Sequence, residues 1–473
     1  MKRIAIIGGG IAGLAAAFYL QRARGQGASL EYVLFEGGSR LGGVLQTEEV
    51  EGFLLEAGPD SFLTAKPWAA QLARDAGLGG QLIASLDQAR KVHIVVHGKL
   101  LPLPEGLQFM VPSKMLPALM SPLFSWATRA HIVQEALGRF PRQKASGDKS
   151  ASGDESAASF VARHFGGEMV ERVAGPLLAG VYGGDAARLS ARAVLPSFIE
   201  MEARNGSLIR GVRARGKASA KPGGAGGIFT SFQKGMQQFV DAVATGIDPQ
   251  SIRLHAEISG LMHNSSGWQV TPADPANAWD GQPFDSVVLA VPAYAAASLV
   301  EHLNLPLAAA LRKIPYSSSV LALLAYDQEA ARQLPPGFGF LVPRGEGRRI
   351  LACTMIHNKF AGRVPPSAAL LRVFMGGVGD EEVLSLGDDE IQAIAQTELR
   401  EILGLRASPK FSRIYRWPRA MAQYEVGHLE RVNEIETAAG ETPGLFLAGN
   451  AYRGIGIPDC VLSGARAAAK IIG

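Results

Sequence analysis

Apolar residues at the start of the chain form two short runs separated by one longer stretch with helical spacing. The pattern predicts a strand over Arg3–Ile7, a helix rich in Ala and Leu over Ile11–Arg22, and a second strand over Glu31–Glu36. A strand, a helix and a strand in this order form a βαβ unit with parallel strands. The N-terminus is therefore predicted to begin an α/β domain.

The middle of the chain changes from a helical to a strand pattern. Apolar residues recur at helical spacing over Phe160–Val212, and strand-like runs begin at Leu254. The predicted elements after that point are Trp268–Thr271, Ser286–Val291, Ser319–Tyr326, Phe338–Val342, Ile350–Thr354, Leu370–Met375, the helix Asp388–Leu403 and a strand, turn and helix in the tail Gly444–Gly473. Lys144–Ala157 and Arg213–Gly227 are rich in Gly, Ser and Lys and are predicted loops.

The composition describes a chain that can bury large cores. Of the 473 residues, 47% are hydrophobic and 19% are charged, which excludes a wholly disordered protein. The two cysteines, Cys353 and Cys460, exclude a disulfide framework and a thiolate metal cluster, and they indicate a reducing compartment. The net charge of +4 comes from dispersed Lys and Arg, a distribution that does not favour a nucleic-acid partner.

The basic residues and apolar run of MKRIAIIGGGIAGL resemble the start of a signal peptide. Three consecutive glycines, Gly8–Gly10, interrupt that run, and no small-residue cleavage site follows it closely. No stretch of 18 uncharged apolar residues occurs in the chain. The sequence therefore predicts a cytoplasmic protein, or one that lies peripherally on the cytoplasmic face of a membrane.

Gly8, Gly10 and Gly13 form a G-x-G-x-x-G motif between the first predicted strand and helix. The three glycines permit a tight turn, a close approach of backbone to a pyrophosphate, and close packing of the helix on the strand. Glu36 ends the second strand, where a carboxylate accepts hydrogen bonds from ribose hydroxyls. The unit predicts a dinucleotide site, to which we also assign the other residues of the turn, Gly9, Ile11 and Ala12.

A second glycine-rich loop indicates which dinucleotide is bound. Where a nicotinamide-binding domain normally continues with another strand and helix, this chain has GGSRLGG over 37–43 and EAGPDSF over 56–62. We interpret the loop as a contact to the pyrophosphate of a long, buried FAD; an ordinary tight turn is the alternative. The residues assigned to FAD here are Arg40, Gly42, Gly43, Gly58, Pro59, Asp60 and Ser61.

A third glycine-rich turn, GNAYRGIGIPDC over 449–460, precedes the last predicted helix. Backbone N–H groups of such a turn can point at a flavin ring and stabilise the negative charge that forms on reduction. We assign Gly449, Asn450, Ile455, Gly456 and Ile457 to the cofactor site.

Cys460 is interpreted as a packed thiol rather than a covalent flavin attachment. His93 and His97 have no third ligand nearby in the sequence, so no metal site is predicted.

These glycine-rich segments resemble the FAD superfamily that includes the amine oxidases and the phytoene desaturases. Longer stretches resemble, almost from end to end, the bacterial protoporphyrinogen/coproporphyrinogen oxidase family within it. They are EAGPDSF (56–62), AQLARDAGL (70–78), AGVYGGD (179–185), GFGFLVP (337–343), YRWPRAMAQYEVGHLERV (415–432) and LAGNAYRGIGIPDC (447–460). The segment 415–432 is more specific for the family than the glycine motifs are.

The resemblance implies an α/β protein with a Rossmann-type FAD-binding domain built from discontinuous segments, a mixed-sheet substrate domain and a helical domain that rests on a membrane surface. The expected segments are 1–85, 228–296 and 425–473 for the FAD domain, 86–107 and 297–424 for the substrate domain, and 108–227 for the helical domain. The resemblance also assigns Ile258 and Trp417 to the FAD site, and it leaves a homodimer open.

The resemblance further implies the FAD-dependent oxidation of protoporphyrinogen IX to protoporphyrin IX in haem synthesis. Six electrons leave the porphyrinogen in three steps, each a hydride transfer from a substrate carbon to the flavin, with oxygen as the expected acceptor. Asp60 corresponds to a polar residue beneath the flavin edge, and no other catalytic side chain is implied. Coproporphyrinogen III is the alternative substrate. A flavin amine oxidase, a carotenoid desaturase and a non-catalytic FAD-bound sensor or scaffold remain as alternatives.

The same resemblance places Phe360 against a pyrrole ring and Leu341 in an aliphatic wall of the substrate pocket, with an ordinary core position as the alternative for both. Plant and animal members have an arginine on the strand before the G-x-L-x-x-L-P segment, where this chain has Val92. Arg90 and Lys91 lie just upstream. We therefore expect one of them to bind a substrate propionate.

Residues Gln108–Trp126 are rich in Phe, Met, Leu and Trp and contain one Lys and no acidic residue. This composition predicts contact with a membrane surface, in particular through Met110, Leu116 and Phe124. A buried segment that packs between domains is the alternative.

Overall fold

The computed structural model of the chain describes residues 1–141, 153–218, 227–277 and 279–473. Most of the predicted loop Lys144–Ala157 lies outside the described residues, as do residues 219–226 of the predicted loop Arg213–Gly227. The start of that second loop is helical: it belongs to the helix Leu208–Ala218, which is anchored in the core by the buried Leu208, Ile209 and Val212. The prediction of a loop from residue 213 onward was therefore wrong for this part.

The N-terminal βαβ unit folds as predicted, and distant parts of the chain complete its parallel sheet. Ile4 and Ile6 pack into the core on one face of the sheet, and Ala5 and Ile7 pack into the core on the other. Helices therefore cover both faces, as is typical of parallel sheets. Across the sheet the strand order is Ile252–Arg253, Leu30–Phe35, Lys2–Ile7, Ser286–Leu289 and Leu445–Leu447.

A second, mixed sheet has seven strands among the described residues. Its neighbours are antiparallel except for one parallel pair, Gly339–Leu341 with Val92–Val96. In order across the sheet the strands are Phe411–Ala422, Tyr316–Tyr326, Ala369–Gly376, Ile350–Met355, Gly339–Leu341, Val92–Val96 and Lys99–Pro102. The α/β fold class with a parallel sheet and a mixed sheet is thereby confirmed.

Short strands form four smaller sheets. They are Thr47–Val50 with Phe53–Glu56; Phe62–Leu63, Phe229–Phe232 and Leu82–Ala84; Leu107–Gln108 with Val111–Pro112; and Ile258–Asn264 with Gly267–Pro272.

Helices cover both large sheets, and a cluster of them between residues 115 and 218 forms a separate core. The α-helices are Ile11–Gly25, Trp68–Asp75, Met115–Met120, Trp126–Ala136, Ala157–Phe165, Gly167–Met169, Gly175–Tyr182, Ala191–Val194, Pro196–Asn205, Leu208–Ala218, Met236–Thr245, Ala293–Val300, Leu305–Arg312, Gln328–Ala331, Ile356–Lys359, Asp388–Leu403, His428–Gly440 and Ile457–Ile472. Val170–Ala174 is a π-helical turn. Short 3₁₀ turns are Gly79–Gln81, Asp87–Ala89, Pro249–Ser251, Pro275–Asn277, Arg344–Glu346 and Glu381–Ser385.

One proposed domain border falls inside an element. The helix Ala293–Val300 runs across the border at 296/297, and its buried residues belong to the core on one face of the parallel sheet. That core continues through Leu307, Leu311 and Ile314. We therefore propose that this border follows Ile314, and the division into three domains as a whole stays a proposal.

The apolar segment Gln108–Trp126 is divided between core and surface. Met110 and Phe124 are buried among the helices, so the prediction that they contact a membrane was wrong. Their side chains belong to the same helical core as Val111 of the short strand pair. Leu116 is 67% exposed, and its contact with a membrane stays a prediction. In the described parts of the chain, no helix has the length and apolar character needed to cross a membrane.

Candidate active site

The first glycine motif has the geometry that a bound pyrophosphate requires. Gly8 has a positive φ of 106°, and a Cβ added at Gly13 would collide with the carbonyl oxygen of Gly8. Nothing lies within 4 Å of the position that a Cβ would take at Gly10. Gly10 caps the helix Ile11–Gly25, whose first N–H groups and dipole favour an anion. Ile11 and Ala12, which follow Gly10 in the first turn of this helix, are buried, and their contact with FAD stays a prediction.

Glu36 is fixed at the same edge of the parallel sheet. Its Oε2 accepts a hydrogen bond from the N–H of Gly9 at 2.7 Å, and its Oε1 accepts one from the N–H of Gly38 at 2.7 Å. A carboxylate has about four acceptor positions. Glu36 therefore keeps capacity to accept hydrogen bonds from ribose hydroxyls.

The second glycine-rich loop lies directly against the first. The N–H of Gly42 donates to the carbonyl of Gly9 at 2.8 Å, and Gly42 forms an isolated bridge with Gly10. At Gly43 a Cβ would lie 3.4 Å from the Cα of Gly10. Arg40 donates to three carbonyls of its own loop and so stabilises its shape. The two loops together leave one open space beside Gly10.

The segment that follows strand Phe53–Glu56 extends this space. A Cβ at Gly58 would collide with the carbonyl of Val44, which directly follows the second loop. Trp417 donates its indole N–H to the carbonyl of Ala57 at 2.7 Å. Trp417 therefore anchors the segment that leads to Pro59 and Asp60.

Asp60 is buried, and two cations hold its carboxylate. The Nζ of Lys359 lies 2.9 Å from each carboxylate oxygen, and a guanidinium nitrogen of Arg372 lies 3.0 Å from Oδ2. Ser61 donates its hydroxyl to Oδ1 at 2.7 Å. Burial alone would raise the pKa of Asp60, but these cations and hydrogen bonds hold it well below its usual range. Asp60 is therefore a fixed negative charge at neutral pH rather than a proton acceptor.

A second buried pair adjoins Asp60. A guanidinium nitrogen of Arg363 lies 3.4 Å from Oε1 of Glu56. Burial raises the pKa of Glu56 to about 7 despite the neighbouring Arg363. The sequence pattern did not predict the roles of Lys359, Arg363 and Arg372. A lone Arg372 in the apolar strand Ala369–Gly376 is the one signal that could have indicated a buried ion pair, because arginine is rarely buried without a partner.

The C-terminal turn faces the first glycine motif. Strand Leu445–Leu447 is parallel to the strands beside it, so the turn that follows leaves the same edge of the sheet as Gly8–Gly10. At Gly464 a Cβ would collide with the carbonyl of Ala12, so the last helix and the first helix touch backbone to backbone. Gly449 has a positive φ of 127° and open space around it.

The remaining residues of this turn are held by neighbours in other segments. Gly456 is the N-cap of the helix Ile457–Ile472, and Ile457 is buried whereas Ile455 is half-buried. Asn450 donates to the carbonyl of Ala420 at 3.2 Å. The sequence pattern also did not predict the ion pair of Lys66, whose Nζ lies 2.6 Å from Oδ2 of Asp459 in the first turn of the helix Ile457–Ile472.

Ile258 lies at the far side of the first loops. It begins the strand Ile258–Asn264 and is packed into the core beside the parallel sheet. The backbone just before it pairs with Glu36, whose carbonyl accepts the N–H of Ala256 at 2.8 Å. Ile258 is therefore close to the segment that carries Glu36, and its contact with FAD stays a prediction.

The predicted substrate residues lie on neighbouring elements of the mixed sheet. Leu341 is half-buried, and its Cδ2 lies 3.7 Å from the position of a Cβ at Gly180, on the helix Gly175–Tyr182. Arg90 and Lys91 are exposed and precede the strand that pairs in parallel with the strand of Leu341. Phe360 is only 1% exposed, with the Nζ of Lys359 5.3 Å from its ring centre. Its stacking on a pyrrole ring stays a prediction.

Three glycine turns around one open edge of a parallel sheet, with an acidic residue at the end of the second strand, define an FAD-binding oxidoreductase. The flavin containing amine oxidoreductase family matches residues 11–472, and the chain belongs to this family. The residues present fit FAD, because Gly10 and Gly449 leave open space that a side chain would fill. When bound, FAD supplies the capacity to accept a hydride.

Comparison with known proteins shows similarity over nearly the whole chain. The chain is 31% identical to coproporphyrinogen III oxidase of Bacillus subtilis, covering 98% of this chain and 96% of that protein. It is 29% identical to chloroplastic protoporphyrinogen oxidase 1 of Spinacia oleracea, covering 99% and 83%. A crystal structure from Exiguobacterium sp. 255-15, provisionally named a protoporphyrinogen oxidase, has a TM-score of 0.85 at 28% identity and covers 100% and 98%.

Proposed function

We propose that this protein oxidises a porphyrinogen to the corresponding porphyrin in haem synthesis, with coproporphyrinogen III as the preferred substrate and protoporphyrinogen IX as the second candidate. The observation that carries the proposal is the similarity, over 98% of the chain, to a bacterial protein named for coproporphyrinogen III oxidation. The plant relative and the Exiguobacterium structure, both named for protoporphyrinogen, support the second candidate.

The proposed reaction removes six electrons and six protons from the macrocycle. In each of three steps a C–H bond of a bridging carbon breaks, its electron pair leaves with hydrogen as a hydride to the cofactor, and one proton is released. Over the three steps two of these protons come from pyrrole N–H groups and the third comes from the fourth bridging carbon, so the porphyrin keeps two of the four N–H groups. Molecular oxygen is the oxidant, and one hydrogen peroxide forms in each step. The protein's part is to orient the substrate carbon and exclude competing reactions.

The apolar surface around Leu341 supports a large apolar substrate. Gly180 is exposed, Val181 is 50% exposed, and Leu341 faces them from the mixed sheet. This surface adjoins the cofactor turn, since Gln423 donates to the carbonyl of Tyr182 and the next residue, Tyr424, contacts the turn. A macrocycle against it would lie between the helical core and the flavin.

Arg90 and Lys91 are the cations that we assign to the substrate carboxylates. Their side chains make no ion pair within the described parts of the chain, whereas the exposed Arg188 and Arg453 pair with Glu425 and Glu436. The residue after them, Val92, pairs with Gly339, two residues before Leu341, so the basic pair lies roughly 10 Å along the sheet from the apolar surface. Coproporphyrinogen carries four carboxylates and protoporphyrinogen two.

The decisive experiment incubates FAD-loaded protein with each porphyrinogen and follows porphyrin fluorescence and hydrogen peroxide. We expect three peroxides per porphyrin and a higher kcat/KM for coproporphyrinogen III. The matched control is the Gly10→Val variant, which reports the non-enzymatic oxidation of both compounds. Rates equal to this control on both porphyrinogens overturn the proposal, and turnover of an amine or a polyene instead supports an amine oxidase or a desaturase. A higher kcat/KM for protoporphyrinogen IX reverses the substrate preference.

We also propose that the protein is cytoplasmic and that it contacts a membrane surface peripherally. Leu116, Met120 and Trp126 are 67%, 73% and 81% exposed and lie within twelve residues on the helical core. The guanidinium of Arg129 lies 4.6 Å from the Trp126 ring. Apolar side chains flanked by a cation suit the headgroup region of an anionic bilayer.

A further inference from the structure

The turn 449–456 is held from one side by Tyr424. The Tyr424 hydroxyl donates to the carbonyl of Asn450 at 2.8 Å and accepts the N–H of Gly454 at 2.8 Å. One side chain thus joins two backbone groups four residues apart. Burial raises the pKa of Tyr424 well above its usual value, so the hydroxyl stays protonated and able to donate.

His428 holds the residue between those two contacts. Its Nε2 lies 2.7 Å from the carbonyl oxygen of Tyr452, and because a carbonyl only accepts, Nε2 carries the proton. The imidazole stacks on the Tyr424 ring, with centres 3.8 Å apart and planes at 14°. Both rings are almost fully buried, so the pair forms a rigid support under the turn.

The same segment also connects the turn to the helical core. Gln423 donates to the carbonyl of Tyr182 at 2.6 Å and to the hydroxyl of Ser317 at 2.8 Å. The helix that ends at Tyr182 carries Gly180, beside Leu341. Residues 423–428 therefore lie between the cofactor turn and the apolar surface.

We propose that Tyr424 and His428 are positioning residues, which hold in place toward the flavin ring the backbone N–H groups of the turn 449–456 other than those of Gly449 and Gly454, which donate to Ser463 and Tyr424. Such N–H groups stabilise the negative charge of reduced flavin more than they stabilise the neutral oxidised form. Loosening the turn should therefore lower the reduction potential without emptying the cofactor site. The proposal needs only FAD, so it stands or falls independently of the porphyrinogen assignment.

The test compares FAD-loaded Tyr424→Phe with the wild type in the absence of substrate. Phenylalanine keeps the ring and its stacking and removes only the hydroxyl. We expect FAD to stay bound and its visible spectrum to change. We also expect the affinity for reduced flavin, relative to the affinity for oxidised flavin, to be about tenfold weaker than in the wild type. A tenfold change corresponds to a potential about 30 mV more negative for a two-electron couple.

The matched control is Tyr415→Phe. Tyr415 lies on the strand that leads into this segment and donates its hydroxyl to Glu48 at 2.6 Å, away from the turn. It should lower stability without moving the potential or the spectrum. His428→Phe and His428→Gln form a second pair, because the glutamine amide can donate to the carbonyl of Tyr452 and phenylalanine cannot. We expect Phe to lower the potential and Gln to restore most of it.

A Tyr424→Phe protein with the wild-type potential and spectrum overturns the proposal, even where its melting temperature falls, since the residue is then only structural. If Tyr424→Phe does not fold, the His428 pair decides. Equal potentials in the Phe and Gln variants then overturn the proposal, and a difference between them supports it.

Discussion

Lys359 and Asp60, which are 299 positions apart in sequence, form a buried ion pair in which the lysine Nζ lies 2.9 Å from both carboxylate oxygens. Asp60 belongs to the segment beside the FAD loops, and Lys359 ends a short helix that follows the strand Ile350–Met355 of the mixed sheet. The pair therefore joins the cofactor side of the molecule to the sheet that carries Leu341. Arg372 adds a second cation from the same sheet.

Lys359→Met should destabilise the protein by about 3 kcal/mol, because removing one partner of a buried pair leaves a charge with incomplete compensation. Urea unfolding measures the change. Lys313→Met is the matched control, since Lys313 pairs with Glu434 at 3.7 Å on the surface, and such pairs contribute about 0–1 kcal/mol. Equal effects of the two substitutions would show that the buried pair has no special contribution.

Gly10→Val should fold normally and bind no FAD. The Cβ has open space in the protein itself, so the valine should intrude only on the phosphates that we expect beside this turn. Gly440→Val, at the end of the helix His428–Gly440 and also with open space, is the control that should keep its flavin. Glu36→Gln should weaken FAD binding less than Gly10→Val does. Absorbance of the purified proteins near the flavin band measures occupancy, and a fully yellow Gly10→Val protein would refute the assignment of this turn.

The pattern of the sequence predicts most of the fold because the periodic signals are local. The strand Lys2–Ile7 and the helix Asp388–Leu403 follow directly from apolar spacing. The border near residue 296 could not be placed this way, since Ala293–Val300 is apolar on several sides and periodicity does not tell which core it joins. Met110 and Phe124 were wrongly expected at a surface for the same reason, because apolar composition alone fits a core and a membrane contact equally.

The glycine turns of the candidate site were predictable because backbone conformation there restricts the residue type. The charged cluster around Asp60 was not, since Lys359, Arg363 and Arg372 meet Asp60 and Glu56 only through tertiary packing. Tyr424 and His428 belong to the segment 415–432, which resembles the family in sequence, but their contacts to the turn depend on tertiary packing that no sequence pattern gives.

Replacing Leu116, Met120 and Trp126 together by serine should release the protein from anionic vesicles and leave its folding and flavin content unchanged. These side chains are exposed, so their loss removes apolar area from the bilayer contact alone. Vesicle flotation measures binding. The control is a variant with serine at both Met262 and Leu305, which are also exposed but lie outside the helical core. Unchanged flotation of the triple variant would contradict the proposed membrane contact.

Replacing Arg90 and Lys91 by methionine should raise KM for coproporphyrinogen III roughly ten- to a hundredfold, and the effect should shrink with added salt. KM for protoporphyrinogen IX should rise less if fewer carboxylates reach the pair. Arg332 and Arg400 are exposed on other elements and supply a control in which the same two charges are removed. Unchanged kinetics in the Arg90/Lys91 variant would mean that other residues hold the carboxylates.

The stability of the protein should depend on pH through His428. Burial lowers the pKa of His428 to about 4; Arg431 and Arg453 lower it further, while the bond to Tyr452 and the charge of Asp154 act in the opposite direction. Below pH 6.5 the unfolded chain binds a proton at this imidazole and the folded chain does not, so the free energy of unfolding falls as the pH drops toward 4. Over the whole range between the two pKa values, this difference in proton binding lowers the free energy of unfolding by about 3 kcal/mol.

His428→Gln removes this titration and keeps a donor for Tyr452. The free energy of unfolding of the wild type, minus that of the variant, should therefore be largest at pH 7. This difference should shrink steadily between pH 6.5 and pH 4.5, because only the wild type loses stability at this site. Urea unfolding at a series of pH values measures both curves, and all other titrating groups cancel in the difference. Parallel curves would show that the imidazole is protonated equally in the folded and unfolded chains, which its burial among Tyr424 and Tyr452 argues against.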